Sequence, residues 1–259
     1  MIVRETNKAF IMIEQHEHAR VAANIMTDLK PHLLKRDNFW NSVIYAIEQH
    51  DCGWKPFDKE PFWNDKKHAP YTFIDFPLLP KLTLYKQGID KVEQVNPYAA
   101  LLCSEHYARF VKHHKIDEVK YFLKQERKRH ERIIKTFPHF NQTLFDLHYN
   151  LLQFGDNLSL YICLNEPGVS KNQEHSFFRE GIPIPTLMQD MAEKRIQVEW
   201  KNERTIYLDM FPFIRPIPVT FQQKVVSKED ITTHGLLESY SSTAFEKVKF
   251  NFNRSKEIK

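Results

Sequence analysis

Apolar residues recur at helical spacing through the first two thirds of the chain. This pattern predicts helices over residues 15–29, 38–51, 81–95, 97–113, 116–135 and 143–164. Residues 52–79 interrupt them with a segment rich in Pro, Trp, Phe and Asp, which predicts a long irregular loop. Because loops of this length inside a compact domain usually serve function, we expect this one to border a site.

After residue 180 the pattern changes from helical to alternating. Alternating or β-rich segments lie at 196–200, 205–213, 219–226 and 245–252. The sequence therefore predicts a mainly α protein, a single domain over 1–259, with a helical bundle at 14–166 and a small antiparallel β appendage at 180–252. The C-terminal third forms this appendage, and two short apolar segments within residues 2–13 are candidate strands to join it.

Composition narrows the classes of function. The chain has 259 residues, and its 37 Lys and Arg against 33 Asp and Glu leave a formal net charge of +4. A charge this small does not require nucleic acid or an anionic membrane as a partner. The 6 glycines stand singly, which excludes a glycine-rich phosphate loop. The 13 histidines make a metal site or an acid–base site the first to search for.

Cysteine usage and the distribution of apolar runs indicate the compartment. Cys52, Cys103 and Cys163 lie far apart, which argues against a structural zinc site and a disulfide framework. The N-terminal residues lack the apolar run of a secretory signal, and no stretch approaches the roughly 18 apolar residues of a membrane span. We therefore expect a cytoplasmic protein that does not enter a membrane.

His50 and Asp51 are adjacent polar residues at the end of a strongly apolar predicted helix, just before Gly53. By helical phase, both project from a face that should be buried. A buried carboxylate is costly unless a cation or several donors meet it, and a metal ion held by both residues would meet that need. The alternative is that Asp51 ends the helix and His50 is a core histidine, and the pair alone leaves both open.

Three further predicted helices carry polar residues on apolar faces. His18 lies in line with the apolar stripe of its helix, whereas His16 falls at the edge of that stripe. Asp156 shares a stripe with apolar residues and therefore requires a strong partner, which is a metal, a buried arginine or the N-terminus of a neighbouring helix that it caps. His106 also points inward, and Arg109, on another side of the same helix, is placed to bind an anion with two hydrogen bonds.

Taken in this order, His18, the His50-Asp51 pair and Asp156 within Gly-Asp-Asn-Leu-Ser resemble the HD-domain metal-dependent phosphohydrolase superfamily. That superfamily has an early His, a His-Asp pair that ends a helix, and a late Asp, often followed by x-Leu-Ser. More closely, the segments QHEHARVA, AIEQHDCGW, SEHYARF and LQFGDNLSL are similar to the bacterial domain-of-unknown-function family 3891. The resemblance covers roughly residues 10–165 and implies an HD-like helical bundle.

The superfamily resemblance implies roles for individual residues. His18, His50, Asp51 and Asp156 match its metal ligands, so the expected cofactor is a divalent metal, which is Mn, Fe, Zn or Mg. His106 falls where some members place a further His for a second metal or for a substrate phosphate.

Two groups of residues are expected to contact the substrate. His106 and Arg109 are the expected catalytic residues, and Trp54, His16 and Tyr107 are the expected substrate-binding residues. Trp54 stands where the superfamily often has a Lys that touches a phosphate. That departure affects the expected phosphate specificity but not the metal.

The aromatic residues of the 52–79 segment predict a lid. It follows the His-Asp pair directly, so Trp54 and at least one of Phe57, Trp63 or Tyr71 are expected to border the pocket that contains the pair. The alternative is that these aromatics pack on one another or on the β appendage and fix the two parts of the molecule together.

The preferred function is metal-dependent hydrolysis of a phosphate ester, with a small phosphorylated molecule as substrate and nucleotides as one candidate class. A non-catalytic metal- or ligand-binding sensor on the same scaffold and a di-iron oxygenase are the alternatives. Glutamates interleave with the basic residues of 124–135, which indicates a solvated helix face rather than a nucleic-acid site. Assembly into a homo-oligomer is left open.

Overall fold

The computed structural model describes residues 1–33, 38–185 and 195–255. Its α-helices are α1 (Gln15–Thr27), α2 (Trp40–Gln49), α3 (Lys55–Lys59), α4 (Leu78–Val95), α5 (Pro97–Val111), α6 (Asp117–Ile134), α7 (Gln142–Leu164), α8 (Lys228–His234) and α9 (Leu236–Ser242). Its β-strands are β1 (Ile2–Glu5), β2 (Ala9–Ile13), β3 (Trp63–Asn64), β4 (Ala69–Pro70), β5 (Ile182–Pro183), β6 (Arg195–Ile196), β7 (Val198–Asn202), β8 (Thr205–Leu208), β9 (Ile217–Ser227) and β10 (Glu246–Arg254). Within these ranges, every helix is too short or too polar to cross a lipid bilayer.

The predicted long helices all form, with ends that differ from the prediction by a few residues at most. Asparagine side chains begin two of them by accepting otherwise unpaired backbone N–H groups. Asn96 accepts from the N–H of Ala99 at 2.9 Å, and Asn141 accepts from that of Leu144 at 3.0 Å. Pro97 suits the first position of α5 because its missing N–H would have no partner inside the helix.

Four helices enclose the region where the predicted metal ligands lie. α1 packs against α2 and α7, and α5 packs against α2, α4 and α7. Apolar side chains such as Ile25, Val43 and Leu158 belong to the buried core of this layer. Gly155 lets α7 approach α1 closely, since a Cβ at this position would lie 2.7 Å from Cγ of Met26.

A mixed six-stranded sheet brings the first strands of the chain together with the last. Its order is β1-β2-β9-β10-β8-β7. β2 pairs antiparallel with β9, where Phe10 lies opposite Val226, and β9 pairs antiparallel with β10, where Phe221 lies opposite Val248. β10 and β8 run parallel. Buried and exposed side chains alternate along the first half of β9, so one face of the sheet is directed toward the core.

The prediction of a mainly α bundle with a small antiparallel β appendage is therefore wrong. The structure is 52% helix and 20% strand. The N-terminal strands β1 and β2 belong to the six-stranded sheet. Local periodicity identifies a strand but not its partner, and Phe10 and Val226 pair although most of the chain separates them. Residues 186–194 of the predicted appendage lie outside the described residues.

The 52–79 segment is more ordered than the predicted irregular loop. It contains a 3-10 turn at Cys52–Trp54, α3, the antiparallel pair β3–β4 and the start of α4. Gly53 fixes its beginning against α4, because a Cβ on Gly53 would lie 2.2 Å from the carbonyl oxygen of Leu84. A Cβ on Gly88 of α4 would meet the Gly53 backbone in the same way, at 2.9 Å. The residues after the His-Asp pair are therefore held against α4.

Candidate metal centre

Four side chains from α1, the end of α2 and α7 converge in the helical core. His18 Nε2 lies 2.8 Å from Asp51 Oδ2, and His18 Nδ1 lies 3.8 Å from Asp156 Oδ1. His50 Nε2 lies 3.7 Å from Asp51 Oδ2 and 3.5 Å from Asp156 Oδ1. All four residues are buried. Helical phase thus correctly directs them toward one place, while their binding of a metal stays a prediction.

One ring nitrogen of His50 is bonded and the other is not. Its Nδ1 donates a hydrogen bond to the carbonyl oxygen of Ile47 at 2.7 Å. Its Nε2 is buried without a hydrogen-bond partner, because the Asp156 carboxylate at 3.5 Å does not meet it with hydrogen-bond geometry. Metal-binding histidines are held in this way, with the second nitrogen donating to a carbonyl that fixes the ring and its tautomer.

A serine from α7 orients His18. Ser159 Oγ donates to the carbonyl oxygen of Asp156 at 2.9 Å, so its lone pairs accept the Nδ1–H of His18, also at 2.9 Å. The Nε2 atom of His18 is then the one that faces Asp51. Ser159 closes the Gly-Asp-Asn-Leu-Ser segment, and this contact gives that position a structural role beside the aspartate.

Neighbouring donors fix both carboxylate oxygens of Asp51. The Nε2 atom of Gln15 donates to Oδ2 at 3.0 Å, and the hydroxyl of Tyr107 donates to Oδ1 at 3.1 Å. The backbone N–H of Gln15 in turn donates to Asp58 Oδ2 at 2.7 Å. Asp51 is therefore held in one orientation by residues from α1 and α5.

His106 brings a third imidazole to the cluster from α5. Its ring centroid lies 4.9 Å from that of His50. Possible ligand atoms of His50, His106 and Asp156 lie within 4.8 Å of one another, as do those of His18, His50 and Asp51. His106 Nδ1 is buried without a hydrogen-bond partner. Two overlapping groups of candidate ligands therefore share His50.

Burial and charge act in opposite directions on the pKa values of the cluster. Burial disfavours the cationic form of His50, but the Asp51 and Asp156 carboxylates outweigh it and raise the His50 pKa to about 9. Burial also disfavours both aspartate anions, yet the neighbouring histidines hold the pKa values of the two carboxyls below their usual range. Burial and the charge of His50 lower the His106 pKa to about 4. The core thus holds two carboxylates against one imidazolium, and a divalent cation that displaced the His50 proton would compensate both carboxylates.

The donor set fits a divalent metal. Imidazoles and carboxylates from several elements meet in two overlapping groups, and the His50 Nε2 that faces both carboxylates has no hydrogen-bond partner. Buried polar atoms without partners are rare in folded proteins, and a bound ion would give this nitrogen a partner. Mixed imidazole and carboxylate ligands suit Mn, Fe or Zn, and carboxylates suit Mg.

A cavity of about 240 Å³ opens beside the cluster. The described residues that line it are Gln15, His18, Asp51, Trp54, Phe73, Ile74, Lys81, Tyr85, His106, Phe110, Asp156, Leu160 and Phe177. Trp54 borders the cavity beside Asp51, as the sequence predicts, although His50 itself does not line it. The segment that follows the pair does contribute to the cavity wall, through residues at both of its ends.

Phe57, Trp63 and Tyr71 do not line this cavity, so the expectation that one of them does is wrong. Phe57 and Tyr71 pack on Phe76, with ring centroids 4.4 and 5.8 Å apart. Trp63 packs on Phe10 of β2, with centroids 6.1 Å apart. These rings form the segment's own core and make one contact with the sheet. They therefore follow the alternative in which the aromatic residues pack on one another or on the β-strands.

Arg109 is not among the residues that line the cavity. Its Nε donates to Glu105 Oε1 at 2.6 Å, one helical turn earlier, and its guanidinium lies over the ring of Tyr149 at 4.1 Å. These two contacts direct the side chain away from the cluster. The structure therefore gives no support to the predicted catalytic role of Arg109.

Tyr107 and His16 also occupy positions other than those expected of substrate-binding residues, since neither lines the cavity. Tyr107 is buried and stacks on Tyr85 at a centroid distance of 3.9 Å. Its hydroxyl donates a hydrogen bond to Asp51. His16 is half-buried at the edge of α1, where burial and the charge of Lys55 lower its pKa to about 4.

Sequence reasoning missed the residues that position the candidate ligands. Gln15 lies three residues before His18, and Ser159 lies three residues after Asp156, so each shares a helix face with a predicted ligand. That spacing could have identified both residues from the sequence. No sequence pattern identifies Lys81, because only the fold of the preceding segment brings it to the cavity.

No curated protein sequence and no solved structure has significant similarity to the chain. A family model, in contrast, matches residues 1–228, a range that includes every residue of the candidate metal cluster and all of β9. The chain therefore belongs to the family described as protein of unknown function (DUF3891).

Proposed function

We propose that this protein is a metal-dependent hydrolase of phosphate esters and a member of the HD-domain superfamily. The observation that carries the proposal is the buried cluster of His18, His50, Asp51 and Asp156. These residues follow the order of the superfamily's ligands, and the His50 nitrogen among them lacks a hydrogen-bond partner. A divalent metal held by these residues would lower the pKa of bound water and polarise a phosphoryl oxygen.

The protein's own residues supply binding, orientation and proton handling. Asp51 and His18 are fixed by hydrogen bonds and so present their ligand atoms without reorganisation. His106 lines the cavity, and its lowered pKa favours the neutral ring at pH 7, in which one nitrogen donates and the other accepts. Trp54 and Tyr85 exclude water from the inner wall, which strengthens electrostatic interactions there.

The partner and the compartment are part of the same proposal. A cavity of about 240 Å³ suits a small molecule or part of one. In the basic run of α6, Arg129 and Arg132 form ion pairs with Glu93 of α4, which supports a structural role over nucleic-acid binding. The three free, buried cysteines suit the reducing cytoplasm.

The test combines metal content with turnover. The purified protein is analysed by elemental mass spectrometry and then assayed with p-nitrophenyl phosphate and bis(p-nitrophenyl) phosphate in Mn²⁺, Fe²⁺, Zn²⁺ or Mg²⁺. We expect bound metal and turnover of at least one ester. Asp156→Asn should lose both, and Asp146→Asn, an exposed aspartate on the same helix, should retain both.

Two outcomes would contradict the hydrolase. Turnover that survives removal of the metal would exclude the cluster as its source. Metal binding without turnover of any ester would favour the non-catalytic sensor instead.

A di-iron oxygenase is the second candidate, and one observation favours it. His50 is shared by the two overlapping ligand groups, the second of which adds His106. Anaerobic loading with Fe²⁺ followed by oxygen consumption measurements separates the two functions. Two irons per chain and oxygen uptake would support the oxygenase, whereas one metal per chain without oxygen uptake would support the hydrolase.

A further inference from the structure

The cavity beside the metal cluster has an apolar mouth. Ile74, Phe110 and Phe177 line it, yet they are 49%, 52% and 51% exposed. They come from three separate parts of the chain, namely the segment before α4, the end of α5 and the segment after α7. Exposed large apolar side chains that cluster at one opening mark a binding surface. We call these three residues the apolar mouth.

Apolar surface continues inward from the mouth to the candidate ligands. The ring of Phe110 lies 4.5 Å from that of His106. Deeper in the cavity, Trp54 and Tyr85 are buried, and Tyr85 stacks on Tyr107, which donates to Asp51. A ligand that reaches the cluster therefore passes between apolar walls.

The cavity wall also carries polar side chains, and one of them is cationic. Among the described residues that line it, Lys81 is the only lysine or arginine. Its Nζ donates to the carbonyl oxygens of Phe73 at 2.8 Å and Ile74 at 3.4 Å, which leaves a third N–H for a ligand. Gln15 also lines the cavity, and its buried Oε1, which has no hydrogen-bond partner, can accept from the P–OH of a singly protonated phosphoryl group but not from its anionic oxygens.

We propose that the cavity binds a phosphate monoester of an apolar alcohol. The phosphoryl group binds at the metal cluster, with Lys81 as the cationic side chain of the cavity wall, and the apolar group extends along Trp54 and Tyr85 toward the apolar mouth. This inference rests on the proposed function and specifies its substrate class.

A nucleotide fits this cavity less well. Burying the hydrogen-bond donors and acceptors of its base and ribose without partners costs free energy. The side chains of the apolar mouth offer no such partners. A polyphosphate adds several negative charges near Asp51 and Asp156, against one lysine and the metal. A single phosphoryl group on an apolar alcohol places its charge at the polar end and its apolar part against apolar walls.

The reaction balances with water as the only co-reactant. A water oxygen forms a new bond to phosphorus and the ester P–O bond breaks. One water proton ends on the alcohol oxygen and the other remains on the phosphate product, so no group is oxidised or reduced.

Binding of non-hydrolysable phosphonates tests the ligand class separately from turnover. The metal-loaded protein is titrated by calorimetry with methyl-, butyl- and octylphosphonate, with inorganic phosphate and with adenosine monophosphate. We expect affinity to rise by up to about fourfold for each methylene that contacts the apolar wall. Adenosine monophosphate should bind more weakly than butylphosphonate. Equal affinity across the chain lengths, or tightest binding of the nucleotide, would overturn the proposal.

Variants of the cavity separate its two ends. Phe177→Ser should reduce the gain from butyl to octyl, while Leu237→Ser, at a residue of α9 that is 50% exposed and outside the cavity, should leave the series as in the wild type. Lys81→Gln should weaken methylphosphonate binding about tenfold, in the range of a charge-assisted hydrogen bond, with the chain-length dependence retained. An unchanged series in Phe177→Ser would count against the proposal.

Each failure has its own signature. Chain-length-dependent phosphonate binding without turnover of any ester would refute the hydrolase but support the ligand class. Turnover of many esters without a chain-length preference would support the hydrolase but refute the ligand class. If Phe177→Ser instead changes the molar mass measured by light scattering, and the phosphonate series is flat, the apolar mouth is a contact between copies of the chain and the proposal fails.

Discussion

At the scale of single residues, the geometry of Asp51 depends on donors that are not themselves candidate ligands. The Tyr107 hydroxyl and the Gln15 amide hold its two oxygens, and His18 meets it from α1. A carboxylate fixed in this way loses little freedom when it binds a metal, because the cost of orienting it is met during folding.

Tyr107→Phe tests this dependence. The variant keeps the ring that stacks on Tyr85 and removes one hydrogen bond to Asp51, so the protein should fold. We expect metal affinity to fall by about 10- to 100-fold, as for other residues that orient metal ligands. The measurement is a competition titration with a metal-binding dye. Tyr121→Phe, at a tyrosine that is 66% exposed on α6, is the control, and equal affinity in both variants would refute the role.

His50 should make metal binding depend on pH. Its pKa in the metal-free protein is raised to about 9 because the carboxylates outweigh burial, whereas the metal-bound ring must be neutral. Binding at pH 7 therefore releases this proton, and the His50 contribution to Mn²⁺ affinity should rise about tenfold per pH unit up to about pH 9. Calorimetry in buffers of different ionisation enthalpy counts the protons. Affinity that is already constant above pH 7 would indicate an ordinary histidine pKa.

Helical phase predicts which polar residues face inward but not where a long side chain ends. The candidate ligands are short or rigid and lie on unambiguous apolar stripes, so their convergence followed from the sequence. Arg109 lies at the edge of its helix, where Glu105 and the ring of Tyr149 decide its direction. The hydrogen bond from Tyr107 to Asp51 could not be predicted from the sequence either, because it depends on the distance between α5 and the end of α2.

At the scale of elements, one close approach sets the position of the cavity wall. The turn at Cys52–Trp54 touches α4 through Gly53 and Gly88, whose missing side chains let the two backbones meet. Trp54 and Tyr85 thereby come together, with centroids 6.0 Å apart, at the inner end of the cavity. The sequence shows these glycines as isolated residues, and only the packing of α4 explains them.

Gly53→Ala should destabilise the protein by about 1–3 kcal/mol, as overpacking of a rigid contact does. The new Cβ would lie 2.2 Å from the backbone oxygen of Leu84, which cannot move without moving α4. Gly155→Ala is the comparison, because its Cβ would also clash, at 2.7 Å, but with Cγ of the Met26 side chain rather than with backbone, and alanine favours the helix by about 1 kcal/mol, so the loss should be smaller. Urea unfolding measures both. A loss for Gly155→Ala as large as that for Gly53→Ala would contradict this account.

At the scale of the whole molecule, α1 connects the metal cluster to the sheet. It follows β2 directly and carries His18. From its outer face, Glu17 accepts a hydrogen bond from the backbone N–H of Gln222 in β9 at 2.8 Å, and Arg20 donates to the carbonyl of Thr220 at 3.1 Å. No local pattern in the sequence predicts these contacts, because they join residues about 200 positions apart and depend on the β2–β9 pairing.

Metal binding should therefore stabilise the sheet as well as the helices. A ligand that binds only the native state adds to the free energy of every opening that disrupts its site, and the α1 contacts couple β9 to that site. Hydrogen exchange with and without Mn²⁺ is expected to slow at the amides of β2 and β9 together with those of α1 and α7. Asp156→Asn, which removes a ligand, should abolish the metal-dependent slowing in both layers. Slowing confined to the helices would show that the sheet opens independently and that the chain is not a single cooperative domain.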